Sequence, residues 1–144
     1  MISKNKIKAL RLLDTKKHRL STGLYVAEGP KVVGDLLSRC SARTIVATPA
    51  WFSLHPPTPT SENIIVSEEE LRKVSFLQHP QQVLATFPLP TDDPSPADSC
   101  DLISHHLCLA LDDIQDPGNL GTIIRIADWF GISHIFCSPH TADA

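Results

Sequence analysis

The chain has 144 residues, 42% of them hydrophobic and 20% charged, with a net charge of -3 at pH 7. That balance can bury a core, which excludes a wholly disordered protein, and the length allows one ordinary domain or a small domain plus part of another. No apolar run approaches the ~18 residues of a membrane helix, and Cys40, Cys100, Cys108 and Cys137 are too scattered for a zinc finger or a disulfide framework.

The first residues form no apolar export signal, so a cytoplasmic protein with reduced thiols, no metal and no membrane anchor is expected. Residues 3–13 place Ile7, Leu10 and Leu13 at helical spacing, with Lys4, Lys6, Lys8 and Arg11 around them. A basic loop, Asp14 to Arg19, leads to a strand at Leu24–Ala27 that ends at Glu28-Gly29-Pro30. The next helix, about 30–39 with Pro30 in its first turn, is expected to bury Val32, Val33, Leu36 and Leu37. A strand at 44–48 and a short helical turn at 49–54 follow, then an exposed loop over Pro56-Pro57-Thr58-Pro59, which cannot join a sheet ladder. After a strand at 64–66, Ser67-Glu68-Glu69-Glu70 is a capping box that starts a helix over 68–75, and a strand at 82–87 closes the series. This alternation predicts a small three-layer α/β domain with a largely parallel sheet.

Charge is distributed unevenly. Residues 1–43 hold ten of the 13 Lys and Arg against only Asp14, Glu28 and Asp35, an excess of seven positive charges on an otherwise acidic chain. Such a surface suits a polyanion, through phosphate neutralisation and counterion release; a solvated basic helix accounts for it equally. Glu28 either caps the following turn or lies near this face, and His18 either contacts the polyanion or is merely solvated. Residues 88–101, with Pro88, Pro90, Pro94, Pro96, Asp92, Asp93, Asp98 and Asp101, read as a linker. The apolar run 107–111 then predicts a strand buried on both faces of a parallel sheet.

The stretch Asp116-Pro117-Gly118-Asn119-Leu120-Gly121-Thr122-Ile123-Ile124-Arg125 follows that strand in the order loop, then helix, at the strand's carboxyl end, where ligands of open α/β sheets gather. Asn119 precedes the apolar pattern Leu120, Ile123, Ile124, Ala127 and is placed either as the helix N-cap or as a donor to a ribose or phosphate oxygen. Arg125 falls off the buried stripe, one turn after Gly121, and either faces a substrate or pairs with Asp128. Gly131 ends the helix and 132–137 forms the next strand, while the missing third glycine excludes the dinucleotide fingerprint. Trp51 and Trp129 are expected to be packing residues.

The 116–125 stretch resembles the first motif of the SpoU branch of the knotted SPOUT RNA methyltransferases. Residues 1–87, with Lys16-Lys17-His18-Arg19 and Tyr25-Val26-Ala27-Glu28-Gly29-Pro30-Lys31, resemble that family's substrate-binding domain, a ribosomal-protein-like α/β sandwich, and Cys137 to Asp143 resembles the segment after the second catalytic strand. The resemblance implies a substrate-binding domain at 1–87, a linker at 88–104 and, at 105–144, the opening of a parallel-sheet α/β-knot domain that stops before the knot. It implies methyl transfer from S-adenosylmethionine to a ribose 2′-hydroxyl of rRNA or tRNA by a homodimer, with Arg125 and Asn119 as catalytic residues. Lys4, Lys8, Arg11, Lys16, Lys17, His18, Arg19, Glu28 and Lys31 are the expected RNA contacts. The family's cofactor pocket lies beyond residue 144, so these residues alone are expected neither to bind the cofactor nor to turn over. A non-catalytic RNA-binding module without a knot is the alternative, and a small-molecule α/β domain using the 112–121 loop is a third reading.

Overall fold

A computed structural model describes residues 2–57, 59, 61–90 and 103–142. Its chain forms two compact units, Met1–Pro90 and Thr91–Ala144. Most of the expected linker, together with Cys100, Thr58 and Asp143, lies outside the described residues.

In the first unit, α1 (Lys4–Leu12) starts where the Ser3 hydroxyl accepts the Lys6 amide at 3.2 Å, and it buries Leu10. The expected basic loop is instead largely helical: α2 spans Lys16–Thr22. Thr15 supplies the extended entry and Gly23, at φ 65°, the left-handed exit, so a helical turn fits between them. After β1 (Leu24–Glu28), α3 (Pro30–Leu37) buries Val33 and packs Leu36 and Leu37 beside it. Val32 faces solvent, contrary to expectation, because one residue is a rotation of about 100° away from the Val33 face.

The remaining elements are β2 (Thr44–Ala47), α4 (Pro49–Leu54), β3 (Glu62–Ile65), α5 (Glu68–Val74) and β4 (Val83–Pro88). β3 lies two residues earlier than its apolar run suggests, because its partner β2 sets the ladder, Thr44 opposite Glu62 through Ala47 opposite Ile65. The capping box forms in full, Glu70 N–H donating to Ser67 Oγ and Ser67 N–H to Glu70 Oε2.

The sheet order is β1-β4-β2-β3. Among the described residues of this sheet only β2 and β3 run parallel; β4 is antiparallel to both of its neighbours, which corrects the expectation of a largely parallel sheet. A strand buried on both faces, as Val83–Phe87 is, has an apolar run that reads alike in either direction, so its pattern carries no polarity. Period-2 alternation sends Val83, Ala85 and Phe87 to one core with Val33 and Trp51, and Leu84 to a second with Leu10, Leu71 and Val74. Three layers result, as expected. Gln82, just before β4, holds φ 51°, a left-handed conformation that costs a residue with a Cβ about 1–2 kcal/mol.

Lys6 ties α1 to the sheet edge: Nζ donates to Glu62 Oε2 at 2.5 Å and to Thr44 Oγ1 at 3.2 Å. The Lys6 hydrogen bond, helped by its charge, holds the Glu62 carboxyl below its ordinary value against a smaller opposing effect of burial. A folded-state value below the unfolded one stabilises the fold above the unfolded value, roughly 4.3, and the gain fades as pH falls through the folded value. Urea midpoints from about pH 6 down to about pH 3 should therefore fall more steeply for the wild type than for Glu62→Gln; parallel curves would show that the pair contributes nothing.

The second unit is a β-α-β unit: β5 (Cys108–Leu111), α6 (Pro117–Trp129) and β6 (His134–Cys137), with β5 and β6 parallel. β5 is not buried on both faces; its residues are half-buried and Ala110 is exposed, since one strand and one crossover helix are its neighbours among the described residues. α6 buries Leu120 and Ala127, but Ile124 is about half exposed and Trp129 is 85% exposed, so Trp51 is a packing residue and Trp129 is not. Gly131, at φ 71°, closes the helix: its N–H donates to Asp128 O and that of Ile132 to Ala127 O, which satisfies two terminal carbonyls.

Candidate functional site

The loop between β5 and α6 is stitched to the segment after β6. Asp113, in a left-handed conformation at φ 56°, donates its N–H to Ser138 Oγ at 3.0 Å and accepts Gln115 Nε2 at 2.9 Å. Ala142 N–H donates to Ile114 O at 2.7 Å, and buried Thr141 lies 3.3 Å from Ser138 Oγ through its hydroxyl. Ser138 and Thr141 therefore hold the loop, a role that sequence reasoning missed; the Ser138-Pro139 turn was the available signal.

Asp116, not Asn119, caps α6. Its Oδ1 accepts the Asn119 amide at 2.7 Å and Pro117 occupies the first helical position. An Asp followed by Pro is a strong helix start, because Pro brings a preset φ and has no N–H to satisfy. A Cβ at Gly118 would stand 3.0 Å from Asp116 Oδ1, so glycine leaves the cap its room. Asn119 is thereby moved to the third helical position, exposed, and its carboxamide makes no hydrogen bond among the described residues.

Asn119, Thr122 and Arg125 form one row at intervals of three residues, each step rotating by about 60° around the helix. Arg125 is exposed, with Nη2 3.3 Å from Thr122 Oγ1, and the Thr122 hydroxyl donates to Gly118 O at 2.8 Å. No ion pair joins Arg125 to Asp128 among the described residues, so the alternative of a surface pair is not realised. A Cβ at Gly121 would meet nothing within 4 Å, which leaves the helix surface open one turn before Arg125. Thr122, which sequence reasoning passed over, orients the guanidinium. The row presents a carboxamide, a hydroxyl and a five-donor fork to solvent, a set suited to anionic or sugar oxygens.

The basic residues of the first unit divide by duty. Lys4 and Lys8 on α1, Lys16 and Lys17 on α2, and Lys31 in the first turn of α3 are exposed. Arg11 is committed to the fold: its guanidinium donates to Ser75 O at 3.0 Å and lies 5.6 Å from the Phe76 ring centroid. Arg19 donates to Leu13 O and Asp14 O, fastening the corner between α1 and α2, and His18 Nδ1 lies 2.7 Å from Thr15 Oγ1. Glu28 neither caps α3 nor stands free at the basic face. Its carboxylate accepts the Ser75 hydroxyl and the Phe76 N–H, the latter at 2.8 Å, at the end of α5. Arg11 and Glu28 thus meet at Ser75, which joins α1, β1 and α5.

Among the described residues no group of three His, Cys, Asp or Glu is placed to hold a metal ion, and no helix is long and apolar enough to cross a membrane.

Residues 4–85 match the family model described as the MRM3-like substrate binding domain. The chain is 30% identical over 142 residues to the 23S rRNA (guanosine(2553)-2'-O)-methyltransferase RlmP of Bacillus subtilis, covering 96% of this chain and 53% of that protein. A solved structure of a TrmH-family protein from Porphyromonas gingivalis superposes with a TM-score of 0.85 at 37% identity, over 99% of this chain and 55% of the other. The AdoMet-bound rRNA methyltransferase from Sinorhizobium meliloti follows with a TM-score of 0.74 at 30% identity, again over 99% and 55%. The chain therefore spans about half the length of these relatives.

Proposed function

Because this chain belongs to the MRM3-like substrate binding domain family, we propose that it is the RNA-holding and helix-donating portion of an enzyme that methylates a ribose 2′-hydroxyl of rRNA or tRNA with S-adenosylmethionine. Residues 1–87 hold RNA, 88–104 link, and 105–144 open the methyltransferase domain. The observation that carries this reading is the exposed Asn119-Thr122-Arg125 row on the helix that follows β5, in a chain whose residues 4–85 match a substrate-binding family.

Arg125 serves as a hydrogen-bond donor, since a guanidinium carries five N–H donors and no acceptor. Its guanidinium donates hydrogen bonds to the 2′-oxygen and stabilises the negative charge that grows there as the methyl group arrives. Thr122 orients the fork, and Asn119 donates its carboxamide N–H to a neighbouring ribose or phosphate oxygen. The second unit exposes Ile124, Ile126, Trp129 and Phe130 rather than folding them into an enclosed wall, so its described residues do not by themselves fit an adenosyl cofactor. The proposal assigns donor binding to the part of the relatives' length that this chain does not span. It further assigns the protein to the cytoplasm as a homodimer.

RNA affinity across salt tests the substrate-binding half. With a ribosomal RNA fragment, log Kd of the 144-residue chain should rise linearly with log salt from about 50 to 200 mM. Lys17→Gln and Lys31→Gln should each reduce the slope by about 1. A flat response would remove the RNA reading.

A further inference from the structure

A cleft of about 200 Å³ opens in the first unit, between the start of α3, the exposed side of α5 and the segment entering β4. We propose that it takes one unpaired nucleobase of the RNA, read by the Gln82 carboxamide; this rests on the RNA-binding reading above and adds a base-recognition site to it.

The size sets the class of ligand. Sites for drug-sized molecules run to roughly 300–1,000 Å³, so this cleft holds a single small ring system. Pro30 and Pro80 supply apolar ring surfaces, while Arg72, Gln81 and Gln82 supply polar heads. Each carboxamide offers both a donor and an acceptor, the pairing that a base edge presents, and a planar guanidinium both stacks and donates. Glu68 on the same wall repels a phosphate but accepts from an exocyclic amine, which favours a base over the backbone.

Gln82 carries the argument further. Its left-handed φ of 51° is one that glycine adopts without strain, and Gln is not among the residues that tolerate it readily. The surrounding fold imposes it: Thr48 N–H donates to Gln82 O at 2.9 Å, and the next residue, Val83, is fully buried and accepts Gly29 N–H at 3.0 Å. A side chain kept where its absence would relieve strain, and lining a cleft, is a side chain in use.

The test uses the 144-residue chain and fluorescently labelled ribo-octamers of A, C, G and U at fixed salt. The wild type should prefer one octamer by about tenfold or more, the discrimination a bidentate amide contact supplies. Gln82→Gly should bring the four within about threefold and leave the salt slope unchanged and the melting temperature unchanged or higher. Salt-dependent but base-blind binding by the wild type, or a preference that survives Gln82→Gly, overturns the cleft alone. No binding of any octamer even at low salt overturns it together with the RNA reading.

Discussion

In a protein of the relatives' full length, Arg125→Ala is expected to cut ribose methylation by about 10²- to 10³-fold, the usual effect of removing one preorganised donor to a developing oxyanion. The loss should fall on kcat rather than KM, because the guanidinium is proposed to bind the charged 2′-oxygen more strongly than the neutral hydroxyl. RNA affinity should change by less than about twofold, since one exposed donor adds little to a polyelectrolyte contact made largely elsewhere. Arg125→Lys should recover only part of the rate: an ammonium keeps the charge and loses the planar fork that Thr122 now orients at 3.3 Å. Methyl incorporation above a tenth of the wild-type rate in the alanine variant would remove Arg125 from the catalytic machinery, and no incorporation by the full-length wild type would leave a non-catalytic RNA-binding module as the better reading.

Phe87→Ala should destabilise the first unit by about 3–5 kcal/mol, the range for removing a buried phenyl ring. Its side chain is fully buried in the central strand, its ring centroid lies 5.9 Å from that of Tyr25, and it shares a core with Val33 and Trp51. Small domains hold only about 5–15 kcal/mol in total, so most of the stability margin would go, and the guanidinium midpoint followed by circular dichroism should drop accordingly. Trp129→Ala, at a side chain 85% exposed, should stay within about 0.5 kcal/mol. A Phe87 variant as stable as the Trp129 variant would refute the two-sided core.

Local signals carried far. The Ser67–Glu70 capping box, Pro30 in the first turn of α3, Gly131 beyond α6 and the off-stripe position of Arg125 each follow from chemistry within a few residues, and each stands where that chemistry puts it. Errors arose where a distant partner or a stronger neighbour decided. Lys16–Thr22 has no apolar stripe to announce a helix, and only Thr15 and Gly23 bound it. Asn119 is a good cap residue, but Asp116 before Pro117 is better and lies three positions earlier, which leaves the asparagine side chain exposed on the helix. Strand direction was illegible because Val83–Phe87 is apolar on both faces. Ile124 and Trp129 were expected inside because hydrophobicity alone does not say whether a packing partner stands opposite.

The middle position of β4 has a consequence for biosynthesis. This strand is the last of its sheet to be translated, yet among the described residues β1 pairs with it alone and β2 needs it on one side. While residues 83–88 are still inside the ribosome, β2 and β3 can zip together, but β1 waits as an orphaned ribbon with its amides and carbonyls open to any neighbouring strand. The nascent chain therefore carries its exposed edges through most of the domain's synthesis, and a translational pause just before β4 would prolong that interval.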